Sequence, residues 1–585
     1  MFQRWRPVLR YLPPYKRVIV TGIAALVASD VCFVYTPVLL RLGVAGIETP
    51  LRTGAPIDVV YIARAAAAAF LLAILGGLCS FFKRYLLIGT SRRIEADLRR
   101  RLFGHIQHLP MPYFGTVRTG DLMSRATADI DAARMAIGPA AMYLLDSLLT
   151  FGLALTVMLG ESPTLTLYAL IPLIGICGSL FFFAPRIHHA SRAVQDQLAA
   201  ISARAQESFA GGRVVKTFAI EDHEQKTMEA LSEVYLAANV RLARVRGLTV
   251  GWISLMGALG LAVILYVGGH MALDGRFSIA GLLLFTSLQL MLVWPMMAFG
   301  WILSLVQRGA AGLDRIGEVF RRAPEEENDA PARSLSGEIE LRDLSFGYNG
   351  TSSVLHDVSL RVPAGSTLGI VGPTGSGKST LVSLLPRLFD APRGHLRIDG
   401  QEILDIPLAQ LRGAIAFVPQ EAFLFSTTIR KNVAFARPEI SGEELEAAVQ
   451  DAHFHLDVAG FPEGIETRVG ERGVTLSGGQ KQRAALARAL AADAQILVLD
   501  DALSAVDTET EAAILRNLRR LRRGRTAIVV AHRVSAVQDA DLIIYLRDGR
   551  IAERGTHAEL VARGGEYARL AQAQALEAEI EAMDP

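Results

Sequence analysis

The sequence predicts an α-helical membrane domain of six transmembrane helices with long cytoplasmic extensions, followed by an α/β domain built around a phosphate-binding loop. Three observations carry this. Up to about residue 310 the chain is dominated by long apolar runs, the remainder has the mixed charge and alternating pattern of a soluble domain, and that remainder contains a glycine-rich turn between a strand pattern and an apolar helix. With 585 residues there is room for both parts. The formal net charge of +2 and the lack of a basic block argue against a nucleic-acid partner.

The six apolar segments lie at about 18–40, 60–82, 136–159, 164–184, 248–270 and 280–304, each long enough to cross a bilayer as a helix. Pro37, Pro172 and Pro295 interrupt three of them, which membrane helices tolerate because neighbouring groups re-satisfy the backbone. The first segment is too long for a cleaved signal, shows no small-residue cleavage site and is followed by five more. Cys32, Cys79 and Cys177 are scattered singly through apolar stretches and form neither a metal-ligand spacing nor a disulfide framework.

Basic residues set the orientation. The N-terminal stretch "MFQRWRPVLRYLPPYKR", the stretches Lys83–Arg134 and Arg186–Arg246, and the exit at Arg308, Arg315, Arg321 and Arg322 belong on the cytoplasmic side. Arg41–Asp58, "GESPT" and "HMALDGRFS" are short, poor in Lys and Arg, and face outside. All six crossings then alternate without conflict.

Both long cytoplasmic connections have helical spacing of charged and apolar residues, as in "SRRIEADLRRRLFGHIQHL". Each is broken once by Gly and Pro, at "PMPYFGTVRTGD" (110–121) and "AGGRVVKTFAIED" (210–222). Two helical hairpins with ordinary turns are the plain reading; turns that dock on the soluble domain are the sharper one.

The expected domains are 1–320 for the membrane part, a polar linker over 321–335, an α/β domain over 336–575 and a closing helical tail over 576–585. In the α/β part a strand leads into "GPTGSGKST" (372–380) and then an apolar helix. Gly372, Gly375 and Gly377 let the backbone wrap phosphate with its N–H groups inward, Lys378 supplies a point charge, and the Ser379 hydroxyl suits a magnesium ion. Pro373, Thr374, Ser376 and Thr380 complete the loop. A nucleotide is its natural ligand.

A phosphate loop alone does not separate a kinase from a transport ATPase. "LSGGQKQR" (476–483) decides, because Ser477, Gly478, Gly479 and Gln480 open a helix and create a second anion site of backbone N–H groups. One loop already wraps its phosphates, so the second site is most useful to a nucleotide held by another chain. A glycine turn before a helix is the plain alternative.

These motifs resemble the ABC transporters, and among them the half-transporter exporters with six membrane helices and one nucleotide-binding domain. The resemblance covers nearly the whole chain; in the membrane half it rests on topology, "TGDLMSR" and "GGRVVKTFAIE". It implies ATP and Mg2+ as cofactors and an ATP hydrolase coupled to transport. Tyr348 in "SFGY" resembles the aromatic that stacks on adenine, and Gln420 in "FVPQE" the residue linking magnesium and the attacking water to the membrane domain. Asp500 resembles the magnesium-holding aspartate, Asp507 the end of the loop crossing the dimer interface, and His532 the histidine that contacts the γ-phosphate. Two such domains sandwich two ATP molecules, and the two cytoplasmic breaks resemble coupling helices.

Asp501 departs from the family pattern, where Glu usually orients or deprotonates the attacking water. One missing methylene withdraws the carboxylate by about 1.5 Å, and losing an aligned base costs roughly 10²–10⁴-fold. "GERGVTLSGGQKQR" with "LDDALSAVD" resembles the degenerate-site subunit of heterodimeric bacterial multidrug exporters. The implied partners are a second half-transporter, the bilayer of the bacterial inner membrane, and an amphipathic drug, lipid or peptide moved out of the cytoplasm or inner leaflet. The N-terminus and nucleotide domain are expected in the cytoplasm. A lipid flippase, and a homodimer in which Asp501 is a working base, remain the alternatives. Asp30, Asp146 and Gln289 are the polar residues in or near the spans, suited either to line a cavity or to bond another helix.

Overall fold

A computed structural model describes residues 12–54, 56–328, 331, 333–348, 352–470, 476–521 and 524–583. The chain divides into two compact units, one comprising Met1–His108 and Val117–Ala323, the other Leu109–Thr116 and Pro324–Pro585.

The first unit holds six long helices: α1 (Lys16–Thr53), α2 (Val59–Gln107), α3 (Thr119–Glu161), α4 (Pro163–Ala210), α5 (Glu221–Leu273) and α6 (Ile279–Phe320). Each contains a window apolar enough to cross a membrane. Helices of 38 to 53 residues exceed the ~20 that a bilayer core needs, so each continues beyond its apolar part. The two breaks read from the sequence are short helices, Met111–Thr116 and Gly212–Thr217.

The outer connections are tighter than the sequence predicts. Arg41–Asp58 was expected as a loop, yet α1 runs on through it to Thr53, because its polar residues find partners on neighbouring helices. Arg41 pairs with Glu161, and the buried Glu48 carboxylate accepts from the Ile279 and Ala280 amides (both 3.0 Å), closing the start of α6. Gly54, at φ 71°, ends the helix, and Asp58 caps α2 by accepting from the Val60 and Tyr61 amides. Ser162 alone separates α3 from α4, capping the latter ahead of Pro163.

Two of the three polar residues named in the spans, Asp30 and Asp146, bond between helices. Lys83 of α2 donates to Asp30 of α1 at 3.2 Å and also pairs with Asp146 of α3, tying three helices together. Gln289 is 2% exposed and packed against Gly260, and its amide has no hydrogen-bond partner among the described residues.

The second unit has two sheets. A six-stranded sheet has the order β10-β9-β3-β8-β7-β6, with β3 (Thr367–Val371), β6 (Ile415–Val418), β7 (Ile496–Asp500), β8 (Thr526–Val530) and β9 (Leu542–Arg547) parallel and β10 (Arg550–Gly555) antiparallel at its edge. A four-stranded antiparallel sheet orders β2 (Leu355–Val362), β1 (Ile339–Phe346), β4 (Leu396–Ile398) and β5 (Gln401–Glu402). β3, β7 and β8 are buried along their whole length, as apolar runs in a sheet covered on both faces require.

Alternate residues of these strands feed two different cores. Ile370, Val498 and Val530 pack with Leu381, Val382 and Leu384 beside the helix α7 (Lys378–Ser383). Val371, Leu497, Leu499 and Val529 pack with Ala484, Leu486 and Ala487 of α9 (Gly478–Ala491), which also contacts α8 (Gly442–Asp451). Because side chains alternate across a strand, α7 and α9 cover opposite faces of the sheet. Further on come α10 (Thr508–Leu521) and, after a short helix at His557–Arg563, α11 (Glu566–Met583), the last continuing through the position expected for the start of the tail.

Candidate nucleotide site

The predicted site residues gather where the parallel strands end. The phosphate loop follows β3, Asp500 and Asp501 close and follow β7, His532 lies just beyond β8, and Gln420 just beyond β6. Carboxyl ends of parallel strands are where open α/β sheets bind ligands.

Glycine is required in the loop itself. Gly372 has φ 152°, and a Cβ there would lie 2.1 Å from the Leu546 carbonyl oxygen, so the loop folds only with hydrogen at that position. Lys378 is 6% exposed, and its ammonium donates to the Gly372 and Pro373 carbonyl oxygens at 2.8 and 2.9 Å. Burial lowers the lysine pKa, opposed by the Asp501 and Asp500 carboxylates. The ammonium is thus held by neutral oxygens beside an anion site. Ser376 Oγ is buried and has no hydrogen-bond partner among the described residues, as suits a loop that closes around an added group.

Ser379 Oγ donates to Asp500 Oδ1 at 3.0 Å. Burial pushes the Asp500 carboxyl above its usual range, the Ser379 bond pulls it down and the Asp501 charge raises it again. A hydroxyl joined to a carboxylate next to a second carboxylate is an oxygen set that fits a hard divalent cation. Gln420 is exposed, and among the described residues no hydrogen bond joins it to Ser379 or Asp500.

Tyr348 stands beside the loop. Its hydroxyl donates to Thr380 Oγ1 at 2.9 Å, and its ring meets Phe389 edge to face at 4.9 Å.

Asp501 has φ 50°, a left-handed conformation that Asp adopts more readily than most residues. Its amide donates to the Val530 carbonyl at 3.0 Å, which turns the chain sharply off β7. With His532 it lines a cavity of about 190 Å3 whose wall also includes Ser504 and Glu511. Asp507 caps α10 by accepting from the Thr510 amide at 2.9 Å.

At the second anion site Ser477 caps α9. Its Oγ accepts from the Gln480 amide at 3.2 Å, and Gln480 Oε1 accepts from the Ser477 amide at 2.9 Å. Gln480 also donates to Asp457, which pairs with Arg483, so the Gln480 side chain serves the helix start. The Ser477 hydroxyl proton stays available for an external acceptor. A Cβ at Gly479 would lie 2.8 Å from the Ala505 carbonyl oxygen, whereas one at Gly478 would make ordinary contact at 3.5 Å. Buried Gln482 donates to Ser504 Oγ and accepts from the Ala505 amide, fixing α9 to the segment after Asp501. The sequence quotes Gln482 inside a motif without marking this bond, because its partner lies outside the motif. The "ERGVT" part of the degenerate-subunit resemblance falls at 471–475, outside the described residues.

A glycine-rich phosphate loop, a carboxylate pair, a helix-start anion site and six apolar helices on one chain define a membrane-bound transport ATPase. Comparison agrees. Residues 19–296 match the family model for the ABC transporter transmembrane region and 355–504 that for the ABC transporter. The chain is 37% identical over 492 residues to the probable multidrug resistance ABC transporter ATP-binding/permease protein YheI of Bacillus subtilis, covering 83% of this chain and 84% of that protein. It is 33% identical to an ATP-dependent lipid A-core flippase of Syntrophus aciditrophicus, covering 87% and 85%. A bacterial Atm1-family ABC exporter with ATP bound superposes with a TM-score of 0.77 at 26% identity, covering 96% of this chain and 98% of that one.

The chain belongs to the ABC transporter family. It is a multi-pass membrane half-transporter of the exporter type, with six membrane helices and one ATP-binding domain that couples ATP hydrolysis to transport.

Proposed function

We propose that this chain is one half of a heterodimeric exporter of amphipathic drugs, lipids or peptides in the bacterial inner membrane, with a slow ATP site at Asp501 and its nucleotide domain in the cytoplasm. The observation that carries the reading is Asp501 itself, a short carboxylate on a left-handed turn beside His532, where a longer base is usual. The names of the relatives, multidrug resistance proteins and lipid A-core flippases, support the amphipathic class.

Mechanism follows from the residues present. The phosphate loop amides and Lys378 bind the ATP phosphates, Tyr348 stacks on adenine, and Ser379, Asp500 and Gln420 would hold Mg2+, which would neutralise phosphate charge. Lys378 gives up its bonds to the Gly372 and Pro373 carbonyls for the phosphates. Asp501 orients the attacking water and His532 meets the γ-phosphate. Since α7 and α9 lie on opposite faces of the sheet, Ser477, Gly478 and Gly479 serve an ATP bound by the partner. Closure of the two nucleotide domains then passes through Met111–Thr116 and Gly212–Thr217 to switch the cavity from inward to outward.

The relatives that act on lipid A favour a lipid as a second reading of the substrate. Co-purification of this chain from its source with mass identification of its companion tests the assembly. A second half-transporter with Glu after its own magnesium aspartate supports the proposal; recovery of this chain alone as a dimer overturns it. Proteoliposomes that move a labelled lipid between leaflets with ATP, yet export no amphipathic drug, select the lipid.

A further inference from the structure

The carboxamide of Gln574, on the last helix, grips the segment that carries His532. Its Nε2 donates to the His532 carbonyl oxygen and its Oε1 accepts from the Val534 amide, both at 2.7 Å. These two backbone groups flank Arg533, and one carboxamide supplies the donor that the His532 carbonyl needs and the acceptor that the Val534 amide needs. The helix providing it is firmly seated. Tyr567 is fully buried with its hydroxyl 2.8 Å from His557 Nδ1, Ala568 is buried, and Leu570 and Ala571 pack on the core. Glu511 of α10, 3% exposed on its side chain, holds the same segment from another direction through Arg533 and Ser535.

Between these grips the His532 side chain is exposed and lines the cavity with Asp501. Among the described residues no hydrogen bond fixes the imidazole as Gln574 fixes its backbone. Groups that meet a reacting centre need their geometry held closely, and a misplacement of about 1 Å costs on the order of a hundredfold. Gln574 lies forty-two residues downstream, on an element the sequence marks only as a closing helix.

We infer that Gln574 is a positioning residue for ATP hydrolysis: α11 sets the His532 backbone through its carboxamide, so that displacing α11 slows hydrolysis at this chain's site without weakening ATP binding. The inference rests on the reading of His532 as the γ-phosphate contact.

The test uses the co-purified transporter and a photoreactive ATP. Labelling of this chain without vanadate reads binding, and vanadate-dependent labelling reads turnover at its own site. Gln574→Ala is expected to reduce vanadate-dependent labelling roughly tenfold or more while labelling without vanadate and the thermal midpoint stay as in the parent. Gln574→Glu, which still accepts from Val534 but faces the His532 carbonyl with an anion, is expected to fall between the parent and Gln574→Ala. Unchanged trapping in Gln574→Ala, with trapping lost in His532→Ala, overturns the positioning role and leaves the reading of His532 standing. Unchanged trapping in His532→Ala, or no trapping on the parent chain, overturns both. Equal losses of binding, trapping and midpoint in both Gln574 variants show a merely structural helix and overturn the inference.

Discussion

The hydroxyl of Ser379 donates a 3.0 Å hydrogen bond to the Asp500 carboxylate, joining the turn after the phosphate loop to the end of β7. Both groups are ones that the proposed mechanism would give to Mg2+.

Burial holds the Asp500 carboxyl above its usual range. Between that range and the raised value the native state binds more protons than the unfolded chain, so the stability this group contributes falls as pH rises through the window. Asp500→Asn removes the titration. Its thermal midpoint without nucleotide is expected to lose this decline with pH and to match or exceed the parent's at neutral pH, while Mg2+-dependent hydrolysis at this chain's own site is lost. A midpoint profile unchanged by the substitution contradicts the assignment of the buried charge.

Lys378 has only carbonyl oxygens to bond within its loop, so its charge is free for phosphate. Lys378→Ala is expected to weaken ATP binding at this chain's site on the order of a hundredfold. Tyr348→Ala, which removes a stacking ring and the bond to Thr380, is expected to cost less, roughly tenfold. Photoreactive ATP labelling of this chain checks both; unchanged labelling of the Lys378 variant contradicts the phosphate-loop assignment.

Lys83 is the cation shared by Asp30 and Asp146. Lys83→Met strands two carboxylates among apolar helices and is expected to destabilise the membrane domain by about 3–5 kcal/mol. Adding Asp30→Asn and Asp146→Asn is expected to recover most of that loss, read as the thermal midpoint in lipid nanodiscs. Single and triple variants of equal stability argue against the shared pair.

The charge pattern predicts Asp274 outside and Lys216 in the cytoplasm. With Cys32, Cys79 and Cys177 replaced, a membrane-impermeant thiol reagent applied to intact cells is expected to label a cysteine at 274 and not at 216. The reverse result inverts the topology.

The spans were legible because hydropathy over some twenty residues is a local property, and so were the breaks at 110–121 and 210–222, where Gly and Pro punctuate a helical pattern. The continuation of α1 to Thr53 was not legible. Arg41 and Glu48 look like loop residues until Glu161 and the start of α6 meet them from far along the chain. Lys83, read only as the first basic residue after a span, gains its role from two aspartates on other helices. At the nucleotide site the phosphate loop could be read because its glycines answer a local backbone demand. Gln482 and Gln574 could not, since their worth lies in backbone groups at Ala505, His532 and Val534 that only the fold brings near.

The central claim is that one chain carries a nearly dispensable carboxylate at Asp501 and an indispensable anion site at Ser477 and Gly478. Steady-state ATP hydrolysis by the co-purified pair tests it most directly. Asp501→Asn is expected to change the rate only modestly, because most turnover occurs at the other site. Ser477→Ala with Gly478→Asp, where a Cβ at Gly478 would make only ordinary contact with Ala505 at 3.5 Å, is expected to nearly abolish it by setting a carboxylate at a helix start that should face phosphate. Should Asp501→Asn remove activity as completely as that double change, Asp501 is a working base, the two sites are equivalent and the asymmetric account is wrong.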